Sequence, residues 1–170
     1  FDTLLQRNDQ VKIEPLLATS YRIVNETTWE FTLRKGVKFH NGEDFDAKSV
    51  KFSLERMIDP KNKLRQVQVG QYLDHVDIID PYKVHLITKK PYPALDATLC
   101  SVGAMLPPKY VQEKGAAHIA LNPVGTGPYK FFRWIKDDQI ELRANENYWR
   151  GAPKIKKAIF RPIPEATTRV

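Results

Sequence analysis

Residues 29–33, Trp-Glu-Phe-Thr-Leu, alternate large apolar with polar side chains, the period of two that turns every second side chain to one face of a half-buried strand. Gly36 closes that segment, and Asn41-Gly42 comes next as a turn dipeptide, because both residues accept positive φ at low steric cost. The period then changes. Ala47, Val50, Leu54, Met57 and Ile58 fall on one face of a helix, with Asp46 as its N-cap and Phe45 placed to pack against Val50 as a hydrophobic staple. Asp59-Pro60 stops the helix, since proline has no N–H and disfavours helical geometry at the residue before it. Phe52 stands opposite the apolar stripe and needs cover from elsewhere.

The same reading extends along the chain. Leu4-Leu5, Leu16-Leu17 and Tyr21–Val24 are short apolar runs between polar turns, and Asn25-Glu26-Thr27, formally a glycosylation sequon, reads as a turn. Residues 61–71 are polar and flexible-looking. Residues 76–88 predict a hairpin, with Asp80 and Pro81 at the first two positions of a type I turn and Val84, Leu86 and Thr88 on one face. That pair should extend the sheet begun by the Trp29–Leu33 strand, antiparallel and solvated on one side. A helix is predicted over 91–99 with Pro93 in its first turn, and another over 108–115 between Pro108 and Gly115. Between them lies a small-residue stretch, Cys100–Pro108. Residues 116–122 lead to Asn122-Pro123, where composition shifts. Residues 129–135 and 139–144 predict a second hairpin, with Phe131, Arg133 and Ile135 facing one way, Phe132 and Trp134 the other, and cover on both faces. A strand is predicted over 155–163, and a helix is expected to begin near Pro164.

At 42% hydrophobic and 11% aromatic residues, a 170-residue chain can build an ordinary core, which argues against disorder. No apolar run approaches the ~18 residues of a membrane span. The single cysteine, Cys100, offers no internal disulfide and reads as a small buried hydrophobe. The net charge of +7 raises nucleic acid or an anionic surface as partners. Only Lys154, Lys156 and Lys157, with Arg150 and Arg161, form a group, and no nucleic-acid-binding motif accompanies them, so a solvated basic face is the simpler reading.

The sequence offers little chemistry. His40, His75, His85 and His118 have no partner at helical spacing, no Cys-x-x-Cys pair exists, and Ser20, Ser49, Ser53 and Ser101 have no recognisable base. Gly125-Thr126-Gly127-Pro128 invites a phosphate loop, but Lys130 occupies the position where a dinucleotide fingerprint needs its third glycine, and residues 129–135 read as a strand. A tight chain reversal is the better reading. Neither an enzyme, a metal site nor a cofactor is expected.

Two separated blocks carry a resemblance. The first runs from Trp29, Phe31, Leu33 and Arg34 through Gly36, Phe39 and Gly42 to Phe52-Ser53-Leu54-Glu55-Arg56. The second joins Asn122–Lys130, with Gly125, Gly127, Pro128 and Tyr129, to Asn147-Tyr148-Trp149-Arg150-Gly151 and Pro164–Arg169. Together they resemble the family 5 solute-binding proteins of bacterial and archaeal ABC importers, which include dipeptide-, oligopeptide- and nickel-binding proteins.

The resemblance implies an α+β fold with mixed, largely antiparallel sheets and a few helices, forming part of the first lobe of a two-lobed periplasmic-binding-protein fold. Residues 1–122 would be mostly its small subdomain and 123–170 part of the larger one, without the second lobe. Residues 1–24 would be lead-in strands and a small helical turn. The implied function is capture of peptides between two lobes for a membrane permease, with nickel chelates, oligosaccharides or opines as other ligands. A basic module for nucleic acid or anionic surface is the alternative of another class. The implied location is periplasmic or at the cell surface, with a lipid anchor possible in the full-length protein and the isolated segment monomeric or weakly self-associating. Ligand-facing candidates are Tyr72, set against the reading of an aromatic anchoring the next strand, and Ser101, Val102, Gly103, Ala104 and Met105, set against a buried crossover.

Overall fold

The computed structural model describes residues 1–62, 64 and 67–163 of the chain. The helix expected near Pro164, including Pro164, Ala166, Thr167, Thr168 and Arg169, lies outside the described residues. Among the described residues, nine strands and four α-helices are arranged around three antiparallel sheets. The strands β1 (Leu5–Arg7) and β2 (Ile13–Pro15) pair as a short ribbon. The largest sheet has the order β3 (Ala18–Asn25), β4 (Thr28–Leu33), β6 (Lys83–Thr88), β5 (Leu73–Asp80), and β7 (Tyr129–Ile135), β8 (Gln139–Ala144) and β9 (Lys157–Phe160) form the third.

The alternation in β4 does what its period requires. Trp29, Phe31 and Leu33 are buried and Thr28, Glu30 and Thr32 are not. Val84, Leu86 and Thr88 bury the same face of β6, with Phe31 opposite Val84 and Trp29 opposite Leu86. Helix α1 (Ala47–Ile58) supplies cover through Ala47, Val50 and Leu54, with Met57 and Ile58 partly buried against the core. Its start is a full capping box: Lys48 and Ser49 N–H donate to Asp46 Oδ1 at 2.9 and 3.1 Å, and Asp46 N–H donates to Ser49 Oγ at 3.5 Å. The Asp80–Lys83 turn closes as expected, with Tyr82 N–H donating to Asp80 Oδ1 at 2.7 Å.

Several expectations fail for identifiable reasons. Residues 67–72 form helix α2 (Val67–Tyr72) rather than a flexible loop, because the buried Val69 docks it on the core. Residues 1–24 contain no helical turn; Asn8 Oδ1 accepts from Gln10 and Lys12 N–H, closing a strand-to-strand turn with Val11 at φ 64°. Pro93 precedes α3 (Leu95–Leu99), which is shorter than predicted. Helix α4 (Pro108–Leu121) resumes beyond Gly115, whose φ of 77° marks a kink and not a stop. Regular pairing in the last strand covers only Lys157–Phe160. The alternation predicted for β7 is broken by a bulge between Phe131 and Arg133, after which Trp134 lies opposite Ile140 and Ile135 opposite Gln139. The cover is partial among the described residues: the Arg143 guanidinium lies 3.2 Å from the Phe132 ring centre, while Phe132 is 43%, Trp134 52% and Ile135 41% exposed.

Candidate functional site

Tyr72 ends α2, so the helix fixes its backbone, and the residue is half-buried. Its ring lies flat on Tyr92, with centroids 3.9 Å apart and planes 5° from parallel. Lys90 Nζ sits 5.4 Å from the Tyr72 ring centre, and Lys89 N–H donates to the Tyr72 carbonyl at 2.8 Å. The Tyr92 hydroxyl and Thr98 Oγ1 share a hydrogen bond of 2.7 Å, and the Thr98 carbonyl accepts from the N–H groups of Ser101 and Val102 at 3.1 and 3.0 Å. A continuous set of contacts therefore links Tyr72 to the small-residue stretch. Tyr92 was not singled out by sequence reasoning; the available signal was an aromatic held between Pro91 and Pro93.

The stretch itself is divided. Ser101 and Ala104 are exposed and Val102 is half-buried, whereas Gly103 and Met105 are buried. Met105 is 0% exposed, so its side chain belongs to the core and cannot face a ligand. Gly103 has φ +88°, and a Cβ there would lie 3.0 Å from Leu54 Cδ2. Leu106 N–H donates to Ser53 Oγ at 2.9 Å, and that hydroxyl donates on to the Ser49 carbonyl at 2.6 Å. The loop is thus seated directly on α1 with Ser101 and Ala104 exposed, the Ser101 hydroxyl donating to the Thr98 carbonyl at 3.3 Å. Ala104 borders an open depression of about 400 Å³ that Phe1, Arg56, Met57 and Leu106 also line.

Behind this surface lies a buried polar centre that sequence reasoning missed. Asp2 Oδ2 accepts from Thr126 Oγ1 and Trp149 Nε1, each at 3.1 Å, and the Tyr148 hydroxyl donates to Asp2 Oδ1 at 3.5 Å. Burial, then the nearby Asp2 charge, pushes the Tyr148 hydroxyl up to about 12. The Asp2 carbonyl also accepts from Met105 N–H at 3.1 Å, so one residue ties the loop to the second sequence block. Trp149 is half-buried rather than fully buried, with the Arg34 guanidinium 4.5 Å from its ring centre.

Most of the other motif residues serve close packing. A Cβ on Gly125 would lie 2.5 Å from the Phe1 ring, and one on Gly127 would lie 2.9 Å from Phe1 N, which is why glycine occupies both. His40 joins the two blocks: its N–H donates to the Gly125 carbonyl at 2.8 Å and its Nε2 bonds the Gly127 carbonyl at 2.9 Å. Burial lowers the His40 pKa and favours the neutral ring. Pro128 accepts from Asn145 N–H at 2.8 Å, and the Tyr129 hydroxyl donates to the Ile155 carbonyl at 3.1 Å. Gly36 and Gly42 take φ of +75° and +92° at turns, and Phe39 packs edge-on to Phe45 with centroids 6.3 Å apart.

Reactive arrangements are scarce. No group of His, Cys, Asp or Glu able to hold a metal occurs among the described residues. Cys100 is a half-buried free thiol whose pKa burial raises. The basic group near the end of the chain is largely engaged: Lys156 pairs with Glu146 at 2.9 Å, Lys157 with the buried Glu141 at 3.5 Å, and Arg161 donates to Gln139.

The family profile "Bacterial extracellular solute-binding proteins, family 5 Middle" matches residues 12–170. A glutathione-binding protein, GsiB, of Salmonella paratyphi A is 32% identical over 172 aligned positions, which cover 99% of this chain and 33% of that protein. The crystal structure of NikZ from Campylobacter jejuni in complex with Ni(L-His) matches with a TM-score of 0.87 at 34% identity, over 96% of this chain and 33% of that one. DppA from Helicobacter pylori, in complex with the peptide STSA, matches with a TM-score of 0.87 at 32% identity, over 99% of this chain and 38% of that one. The chain therefore spans about a third of the length of the curated relatives it matches.

Proposed function

Since this chain belongs to family 5 of the bacterial extracellular solute-binding proteins, we propose that it is the greater part of the first lobe of a two-lobed protein that captures a peptide and delivers it to an ABC permease. Residues 1–122 are assigned mostly to the small subdomain of that lobe and 123–170 to part of the larger one. The protein would act outside the cytoplasm, in the periplasm or at the cell surface. No helix among the described residues is long and apolar enough to cross a membrane. Binding without catalysis is the chemistry that such a surface suits.

The observation that carries the reading is the linked surface of Tyr72, Tyr92, Ser101 and Ala104. A flat aromatic pair beside a small-residue loop supplies a broad contact area and accessible backbone groups, which tolerate varied peptide side chains. Glutathione and the peptide STSA, bound by the relatives GsiB and DppA, are both peptides and support this choice of ligand class. The Ni(L-His) complex of NikZ keeps a metal chelate as the competing ligand for the same surface.

Isothermal titration of the two-lobed protein with di- to pentapeptides, and with nickel–histidine as the competitor, tests this reading. Peptide affinity is expected to fall at least about tenfold in Tyr72→Ala. Unchanged peptide affinity in that variant removes the aromatic pair from the site. Preference for nickel–histidine replaces the peptide with the chelate.

A further inference from the structure

His40 is held at both ring nitrogens by one loop. Its Nε2 lies 2.9 Å from the Gly127 carbonyl oxygen, and its Nδ1 lies 3.4 Å from the Gly125 backbone nitrogen. A carbonyl only accepts and a backbone N–H only donates, so the two bonds together admit a single state of the ring, with hydrogen on Nε2 and a lone pair on Nδ1. The backbone repeats the connection, because His40 N–H donates to the Gly125 carbonyl at 2.8 Å. A proton added to Nδ1 would point at the Gly125 N–H. It would exchange a hydrogen bond for two opposed donors and place a positive charge in a half-buried site.

The charged groups around the ring do not offset that penalty. Lys130 on β7 and the Phe1 amino group oppose the proton. Asp2 favours it, but its carboxylate already accepts from Thr126 Oγ1 and Trp149 Nε1, and the Tyr148 hydroxyl beside it stays neutral. On the turn that carries His40, Lys38 is paired with Asp44 at 2.6 Å, and Glu43 accepts from the N–H groups of Lys109 and Tyr110. We propose that His40 is a pH-sensitive latch between the two motif blocks: neutral, it clips the Phe39–Gly42 turn to Gly125–Gly127, and protonated, it lets that loop go. The release reaches the loop beside Ala104, because Thr126 lies within the latched segment and bonds Asp2, whose carbonyl accepts from Met105 N–H. Burial sets the sign. A ring whose folded pKa lies below the ordinary 6.5 contributes stability above that pH, and the contribution is lost as pH falls from about 6.5 toward the folded value. The histidines of the main sheet are built the other way. His75 faces Asp74 and Asp77, and His85 faces Glu30, so a proton there would turn existing contacts into ion pairs.

Nuclear magnetic resonance of the protein carrying isotope-labelled histidine, with amide hydrogen exchange on the same sample, tests the latch. At about pH 7.5 the His40 ring is expected to carry its hydrogen on Nε2 and none on Nδ1. Between about pH 6.5 and about pH 5, protection of the amides at position 40, Gly125 and Met105 should fall, by at most about tenfold per pH unit because one proton is taken up on opening. His40→Gln cannot titrate and should remove that dependence at position 40 and Met105. A ring with hydrogen on Nδ1 at about pH 7.5 overturns the latch. So does protection that stays flat in the wild type at any of the three amides, or a slope in His40→Gln equal to that of wild type. Should His40→Gln fail to fold, the ring signals are assigned by elimination in His75→Gln, His85→Gln and His118→Gln, and the wild-type tautomer and slope decide alone.

Discussion

Asp2 and Trp149, separated by 147 positions in the chain, meet in a hydrogen bond of 3.1 Å from the indole Nε1 to the carboxylate. The same oxygen accepts from Thr126 Oγ1, so the 6%-exposed Asp2 joins the first residues of the chain to both halves of the second motif block. Replacing Asp2 by Ala leaves those donors without an acceptor, and each buried unmade bond costs about 1–3 kcal/mol. Urea denaturation should show a lower midpoint with an unchanged slope, and a midpoint equal to wild type would mean that the centre contributes nothing to stability.

The two motif tryptophans should not behave alike. Trp29 is 3% exposed, and its ring stacks with Tyr21 at a centroid distance of 6.0 Å, so Trp29→Ala is expected to cost about 3–5 kcal/mol. Trp149 is half-buried, and Trp149→Phe keeps an aromatic face for Arg34 while losing only the N–H to Asp2. That exchange should cost about 1–3 kcal/mol. A chemical-denaturation series that ranks Trp149→Phe as the more damaging change would contradict the core described above.

Gly103→Ala combines two penalties. A φ of +88° is unfavourable for any residue with a Cβ, and the new methyl would meet Leu54 Cδ2 at 3.0 Å. A loss of about 1–3 kcal/mol is expected, read as a lower melting temperature. A variant as stable as wild type would show that the loop is not held where it lies.

Acidification should weaken the main sheet at one identifiable place. Glu30 is hydrogen-bonded by Arg22 at 2.8 Å and by His85 at 3.0 Å, and these partners, Arg22 foremost, lower its pKa from 4.5 to about 2. A carboxylate with a depressed folded value contributes stability above its unfolded value, and that contribution is lost as pH falls from about 4.5 toward about 2. Melting temperature measured across that window should fall less steeply in Glu30→Gln than in wild type. Identical slopes would show that the triad of side chains is not coupled to folding.

How much of this was legible in the sequence depended on how local the cause was. The burial of Trp29, Phe31 and Leu33 and the cap at Asp46 arise from neighbours within a few residues, and pattern alone found them. Helix α2 was missed because a six-residue segment has too few turns to display a period, and the tertiary contact of Val69 decides it. Gly115 read as a stop because glycine usually ends helices, yet the chain resumes after its kink. The faces of β7 were misread because a bulge between Phe131 and Arg133 breaks the period of two, and a bulge leaves no mark in the apolar pattern. Among the candidate residues, Ser101 and Ala104 are exposed, Tyr72 is half-buried and Met105 is core, and Asp2 escaped because its partner Thr126 lies 124 positions along the chain.

The seating of Gly103 on Leu54, and of Leu106 on the Ser53 hydroxyl, makes the outer wall of the hollow an extension of the helix beneath it. The loop can then be moved from inside the protein: a methyl added or removed at position 54 would raise or lower Gly103 without altering any exposed atom of Ser101 or Ala104.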